Sequence, residues 1–181
     1  MKLFVLLIFF IPAFSCDAQI YSCRQGEISF YSEAPLENIE AHTNNVNSFL
    51  NLSTKEVAFV IPIRGFHFAK ALMQEHFNEK YMESDQYPNA TYKGKLGNEA
   101  DLTKNGTYPV TATGKMNIHG VEKEITQKGT ITVKDNQINL TCEMPVAVSD
   151  YKIRIPKLLF QNIADTVLVK MNVNYQPLQK K

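Results

Sequence analysis

The chain has 181 residues, of which 44% are hydrophobic, and its 19 basic and 18 acidic side chains give a formal net charge of +1. This length suits one domain with a hydrophobic core of its own. The near balance of charge, without a clustered basic excess, excludes the surface that is typical of nucleic-acid-binding proteins.

The first predicted element is an apolar segment at the start of the chain. Lys2 is followed by an almost unbroken apolar run, Leu3–Phe14, which is too short for a membrane-spanning helix of roughly 20 residues. The basic start, the short apolar run and the small residues up to Ala18 predict a secretory signal peptide over residues 1–18. The mature domain is then residues 19–181, a periplasmic or secreted protein without a transmembrane segment. In a competing interpretation Cys16 becomes a lipid-anchored N-terminus, although the leucine usual three residues before such a cysteine is missing.

Two cysteines, Cys23 and Cys142, remain after cleavage at this site. Because an exported protein meets an oxidising compartment, the two thiols are candidates for a disulfide. Such a bond would close a long loop and stabilise the fold in the chain-entropy model. The alternative is a pair of small buried thiols in separate places.

Four short segments with strand-like residue patterns occupy the first half of the chain. A charged and polar stretch separates the third segment from the fourth. The four segments are Glu27–Ser32, Val46–Leu52, Val57–Ile63 and Ala90–Leu96.

The stretch between the third and fourth strands predicts one short amphipathic helix, at about residues 70–84. At 100° per residue, Met73, Phe77 and Tyr81 fall on one side, whereas Glu75 and Glu79 fall on the opposite, solvent-facing side. His76 lies on the apolar side, which predicts a partly buried, hydrogen-bonded imidazole. Pro88 is expected to end the helix, because the residue before a proline resists helical geometry. We interpret the segment as a plug for the remaining structure.

The same stretch is rich in carboxylates, and a metal or acid–base site is the alternative interpretation. His76 and Glu79 are spaced i, i+3, but helical di-iron sites collect such pairs from several helices, and one helix is evident here. Zinc requires three or four ligands, and the other histidines lack a ligand-like spacing. We therefore predict no metal site and no catalytic residues, and keep a metal-dependent enzyme using Glu75, His76 and Glu79 as the less favoured alternative.

The second half of the chain alternates between apolar and polar residues with a period of two. This pattern is typical of antiparallel strands with one buried and one solvated face. Short polar turns at His119-Gly120 and Lys134–Asn136 suit hairpins, and Asn98–Thr107 is predicted to be an exposed loop. The four predicted strands are Val110–Ile118, Ile125–Val133, Ile138–Val148 and Val167–Tyr175.

Eight strands with little helical cover must protect their edges, and closure into a barrel removes both edges. The predicted inner face mixes small residues with flexible methionines: Ala112, Gly114, Gly129, Met116, Met144 and Met171. Small residues leave room and methionines adapt to a chain-like apolar guest. The same residues would equally fit the taper of a barrel filled by its own side chains, so the pattern leaves an interaction domain with a filled core open.

Three stretches together resemble the YceI family of exported bacterial proteins. Residues 68–96 carry a pattern of Leu72, His76-Phe77, Tyr87-Pro88 and Thr91-Tyr92 that is similar to that family's. Residues 113–126 (TGKMNIHGVEKEIT) resemble its strand, His-Gly-Val turn and following strand, and residues 148–159 (VSDYKIRIPKLL) resemble a late Asp-aromatic element before the closing strand.

The resemblance implies an all-β fold, an eight-stranded antiparallel lipocalin-like barrel with an apolar tunnel. It implies an apolar lipid chain as partner, a polyisoprenoid or a quinone-like lipid, and neither a catalytic residue nor another cofactor. The chain departs from the family pattern at Asn38–Asn47, which lacks the expected glycine-containing turn, and at Arg24, where an acidic residue is common.

The barrel and the resemblance together predict which residues line the tunnel. Most are inward-facing strand residues, and Met73 and Phe77 come from the plug. The predicted lining is Phe30, Phe59, Ile61, Met73, Phe77, Met116, Ile118, Ile131, Leu140, Met144, Val146, Met171 and Val173.

Overall fold

The computed structural model describes residues 20–33, 38–97, 100–155 and 164–178. The predicted signal peptide, residues 1–18, and Cys16 lie outside the described residues. Ten strands form one antiparallel sheet. They are β1 (Ile20–Ser32), β2 (Ile39–Thr43), β3 (Asn47–Asn51), β4 (Glu56–Pro62), β5 (His67–Phe68), β6 (Asn89–Leu96), β7 (Gly106–Ile118), β8 (Val121–Lys134), β9 (Gln137–Ala147) and β10 (Thr166–Pro177).

Eight of these strands close into a barrel, as predicted. The order around the wall is β10-β9-β8-β7-β6-β4-β3-β1, and β1 then pairs with β10 from Tyr21–Pro177 to Tyr31–Leu168. Closure leaves no free edge along this pair, which is how a barrel avoids edge-to-edge association. Of the other two strands, β2 pairs with Ile28–Ser32 of β1, past the short ladder between β1 and β3, and β5 pairs with β2.

Two hairpins hold the second half of the barrel in register. The β7–β8 turn is His119-Gly120, with φ values of 52° and 72°, and the β8–β9 turn is Asp135-Asn136, with φ values of 50° and 62°. Two consecutive residues with positive φ match the right-handed twist of the flanking strands. Both predicted hairpins are therefore confirmed.

The ladder between β8 and β9 is incomplete. The two strands pair only from Thr130–Thr141 to Lys134–Gln137, whereas β7 and β8 pair along their whole length. Pro145, which has no N–H to donate, lies in the part of β9 that has no partner on the β8 side, the position at which a strand tolerates proline. The barrel wall is therefore split between residues 121–129 of β8 and residues 142–147 of β9.

The helical segment is shorter than predicted and changes type. Helix α1 (Ala71–His76) continues as a single π-helical turn, Phe77–Tyr81. It ends at Met82, and the next residue, Glu83, has a positive φ of 43°. The predicted stop at Pro88 is therefore wrong, because this left-handed residue reverses the chain five residues earlier.

The predicted loop at Asn98–Thr107 is only partly exposed. Leu102 is 2% exposed and Ala100 is also buried, and both belong to the hydrophobic core. These side chains close the end of the barrel at which β7 begins, where the strands alone would leave an opening. An exposed loop was therefore the wrong expectation for this part of the segment.

The two ends of the barrel differ in packing. At the end where β1 and β7 begin, large side chains fill the interior completely, and Leu50, Ile138 and Tyr175 are each 1% exposed or less. Ser48 Oγ donates a hydrogen bond to Ala58 O at 2.8 Å and lies 2.6 Å from the Tyr175 hydroxyl, so the polar groups buried there are satisfied. The other end carries α1 and holds the cavity. We call these the filled end and the plug end.

Candidate functional site

The plug end of the barrel encloses an apolar cavity of about 590 Å³. Its wall is made by inward-facing residues of β1, β4 and β6–β10, which recur at every second position along the strands. A cavity of this volume falls within the range of small-molecule sites in proteins. The strand periodicity therefore builds a mostly apolar space, which suits an apolar chain.

The floor of the cavity lies where the barrel becomes filled. Leu140 lines the cavity, while its two register partners, Ile131 on β8 and Val173 on β10, are 0% exposed and lie beneath it. These two residues were predicted to line the tunnel, and that prediction is wrong for them. They pack against the core because Tyr175, Leu102 and their neighbours fill the space that a through-tunnel would need.

An aromatic cluster fastens the plug to the rim of the barrel. We define it as Phe30, Phe66, Phe68 and Phe77. The ring of Phe77 lies 5.5 Å from Phe30, 5.7 Å from Phe66 and 5.0 Å from Phe68, centroid to centroid. Aromatic contacts of this kind add stabilising free energy beyond that expected from the apolar area they bury. Phe77, Met73 and the half-buried His76 present the plug's inner side to the cavity.

The β7–β8 turn is tied to the segment after the plug and to the turn after β9. His119 Nε2 lies 2.8 Å from Glu83 Oε2 and Nδ1 lies 3.2 Å from Tyr151 O, while the imidazole packs on Tyr87 at 4.5 Å between ring centroids. Lys123 Nζ adds an ion pair with Asp150 Oδ1 at 2.7 Å. These contacts hold the start of β8 close to the segment after β9, at the plug end of the split between β8 and β9.

Strands β6 and β7 approach each other closely at a pair of glycines. Gly94 and Gly114 face each other in the ladder, and a Cβ on Gly114 would overlap with the backbone of Gly94 and Lys93. The ring of Tyr92 lies over the inner face of Gly94, where a Cβ would overlap with its hydroxyl.

Tyr92 is 8% exposed, and its hydroxyl finds no hydrogen-bond partner among the described residues. Burial, and to a smaller extent the nearby Cys142, raises the pKa of this phenol, which therefore stays neutral.

Cys142 is the thiol of the cavity wall. Burial, and secondarily the neighbouring Glu143, raises the pKa of Cys142 to about 11. The thiolate is the reactive form of cysteine, and a raised pKa keeps its population small. The side chain therefore acts as a small apolar lining group.

The predicted disulfide between Cys23 and Cys142 is absent from the described structure. In register, Cys23 lies opposite Tyr175 and Cys142 opposite Met171, on the two sides of β10. Two strand spacings and a four-residue offset separate their Cα atoms by about 16 Å. A disulfide needs Cα atoms within about 7 Å, so the prediction is wrong for this fold.

No group of three or more His, Cys, Asp or Glu side chains converges within residues 20–33, 38–97, 100–155 and 164–178. Glu75 and Glu79 are exposed, whereas His76 faces the cavity, so the three residues of the enzyme alternative do not meet. For the helices that the structure describes, none has the length and apolarity needed to cross a bilayer.

Comparison with known proteins identifies the family. The family model described as a YceI-like domain matches residues 23–175, which is most of the chain. The chain belongs to the YceI-like family. Among curated proteins, none matches this sequence.

Solved structures share the YceI-like fold at low sequence identity. A polyisoprenoid binding domain from Saccharophagus degradans, implicated in plant cell wall breakdown, is 16% identical, with a TM-score of 0.76 over 87% of this chain and 98% of that one. BcnA of Burkholderia cenocepacia is 14% identical, with a TM-score of 0.69 over 82% and 95%. The YceI protein of Campylobacter jejuni is 14% identical, with a TM-score of 0.58 over 99% and 100%. At these identities the likeness establishes the fold.

The other predicted lining residues of this YceI-like barrel do border the cavity. They share inward positions on the strands or the inner side of the plug. They are Phe30, Phe59, Ile61, Met73, Phe77, Met116, Ile118, Leu140, Met144, Val146 and Met171.

Sequence reasoning missed the rim and several residues of the wall. Phe66 and Phe68 join the lining from the segment around β5, and Val148, Ile153 and Ile155 join it from the segment after β9. Gln127 also lines the cavity, although it is polar. A polar residue at an inward position of an otherwise regular strand was the signal that could have found it.

Proposed function

We propose that this YceI-like protein is an exported lipid-binding protein that sequesters a polyisoprenoid or similar apolar chain in its barrel, without catalysis. The single observation that carries the proposal is the apolar cavity of about 590 Å³ at the plug end. Each methylene group removed from water contributes about 0.8 kcal/mol, so a long prenyl chain has a large driving force to enter such a space.

Two further observations support the proposal. The structural relative from S. degradans is described as a polyisoprenoid binding domain. The sequence of residues 1–18 has the pattern of a signal peptide, which favours action in the periplasm or outside the cell. An apolar chain needs a carrier there, because its free concentration in water is very small.

A ligand that survives purification provides the direct test. The purified protein is extracted with organic solvent, and the extract is analysed by mass spectrometry. We expect a chain lipid in stoichiometric amount from the wild type and little from Ala112→Phe, which fills the cavity from an inward position. Thr111→Phe, on the outward face of the same strand, is the matched control and should retain the lipid. Repeated recovery of no lipid, together with no binding of added isoprenoids, would overturn the proposal.

A further inference from the structure

Gln127 bridges the split in the barrel wall between β8 and β9. Its Nε2 donates hydrogen bonds to Glu143 O at 2.9 Å on β9 and to Lys128 O at 2.8 Å on its own strand. The backbone ladder between these strands stops at Thr130–Thr141, below this point. The side-chain amide therefore takes over the role of a missing ladder hydrogen bond.

The orientation of this amide is fixed by chemistry. Both partners are carbonyl oxygens, which only accept hydrogen bonds, so the NH₂ group must face them. Gln127 lines the cavity, and because its NH₂ is engaged by the wall, Oε1 is the polar atom of this side chain that is left for a ligand. No described group donates to this oxygen, and it is not among the buried atoms that lack a partner. Gln127 thus offers a reachable hydrogen-bond acceptor in an apolar space.

Small residues surround Gln127 and leave room beside it. Ala112 is its register partner on β7, and Gly129 is the next inward residue of β8; both line the cavity. Among the inward positions of β6–β10, all of which the structure describes, Gln127 carries the one amide. Gln127 lies two inward positions from Ile131, which packs beneath the floor, and a chain that starts at Gln127 can extend along the wall towards the plug.

We propose that Gln127 holds the polar head of the bound lipid and that this head is a hydroxyl group. This inference rests on the proposed function and adds the class of ligand: an isoprenoid or similar chain that ends in an alcohol. A hydroxyl donates to Gln127 Oε1, whereas a hydrocarbon or a head with acceptors alone leaves the amide oxygen unpaired. The split wall beside Gln127 gives the head contact with water while the tail extends towards the aromatic cluster.

The test compares two probes that differ only in the donor. Geranylgeraniol and its methyl ether have the same chain, and their affinities are measured by displacement of N-phenyl-1-naphthylamine, whose fluorescence reports an apolar site. A net hydrogen bond corresponds to about a five- to tenfold difference in Kd. We expect the wild type to prefer the alcohol by this factor and Gln127→Met, which keeps the side-chain length, to lose most of the preference. Gln137→Met, an exposed glutamine on the adjacent strand, should retain it.

Each result decides the inference. Equal affinity of the wild type for alcohol and ether would overturn the assignment of the head group while the proposed function stands. A preference of the same size in Gln127→Met would show that the donor is recognised elsewhere. If the wild type binds neither probe, both the proposed function and this inference fail. Because the first comparison uses the wild type alone, the inference stays falsifiable even where a variant does not fold.

Discussion

The hydroxyl of Tyr175 lies 2.6 Å from Ser48 Oγ in the filled end of the barrel, whereas the hydroxyl of Tyr92, also buried, has no described partner. A buried polar group that is hydrogen-bonded contributes about 1 kcal/mol, and one that is unpaired costs about as much or more. Two buried tyrosines in one barrel should therefore respond to the same substitution with opposite signs.

We predict that Tyr175→Phe lowers the free energy of unfolding by about 1 kcal/mol and that Tyr92→Phe raises it by about 1 kcal/mol in ligand-free protein. Urea unfolding measures both, with an unchanged m-value as the sign that the fold is kept. A loss of stability in Tyr92→Phe would mean that its hydroxyl is satisfied in solution.

The close approach of β6 and β7 predicts that one added methyl group lowers the stability of the protein strongly. Gly114→Ala should destabilise the protein by about 2 kcal/mol or more, because the new Cβ meets backbone that cannot give way without separating the strands. Thermal and urea unfolding provide the measurement. Gly65→Ala is the comparison, since its nearest neighbour is a side-chain atom, Thr43 Oγ1, at 3.0 Å, and we expect a loss below about 1 kcal/mol. Equal effects would contradict the close approach.

Removal of the central ring of the aromatic cluster should loosen the plug. Phe77→Ala loses three ring contacts, and because the ring is only half-buried we expect a loss of about 2 kcal/mol, less than for a fully buried phenylalanine. Under the proposed function, bound lipid should also leave faster, which stopped-flow displacement by an excess of competitor detects. Glu79→Ala, an exposed change in the same π-helical turn, should alter neither quantity. Unchanged release in Phe77→Ala would remove the plug from the path of the ligand.

The Cys142 thiol provides a pH-dependent reporter of the cavity. In protein of residues 19–181 carrying Cys23→Ser, alkylation by iodoacetamide reports Cys142 alone. Because burial raises the pKa of Cys142 to about 11, about one thiol in a thousand is ionised at pH 8, and the rate should rise about tenfold per pH unit towards pH 11. Urea-unfolded protein, in which the pKa returns to its ordinary range, should react far faster at pH 8. A bound chain should slow the folded protein further, and equal rates in both states would show that the thiol is exposed.

The fold was predictable where residues alternate and unpredictable where they do not. Val110–Ile118 and Ile138–Val148 became strands because their apolar residues recur every second position, and the positive φ values of Asp135-Asn136 fit residues that tolerate this geometry. Strands β2 and β5 were missed, because their pairing depends on the part of β1 that β3 leaves unpaired and not on any local period.

The site was predictable in outline only. Inward positions look the same at both ends of a strand, so Ile131 and Val173 could not be distinguished from Met144 by periodicity. What separates them is distant in sequence: Leu102 and Tyr175 fill one end, and the aromatic cluster spans the other. The split between β8 and β9 has a faint local signal in Pro145. The bridge by Gln127 depends on the relative register of the two strands, which neither strand's own sequence determines.

The seam between β1 and β10 joins segments more than a hundred residues apart along the chain. Loop-closure entropy opposes contacts between segments so distant along the chain, which makes this seam costly to form early in folding. A polypeptide that stops before Thr166 lacks β10, so β1 and β9 each keep an unpaired edge to which another chain can add. Under the proposed function, the strand that completes the wall of the lipid cavity is therefore also the strand that covers the two exposed edges.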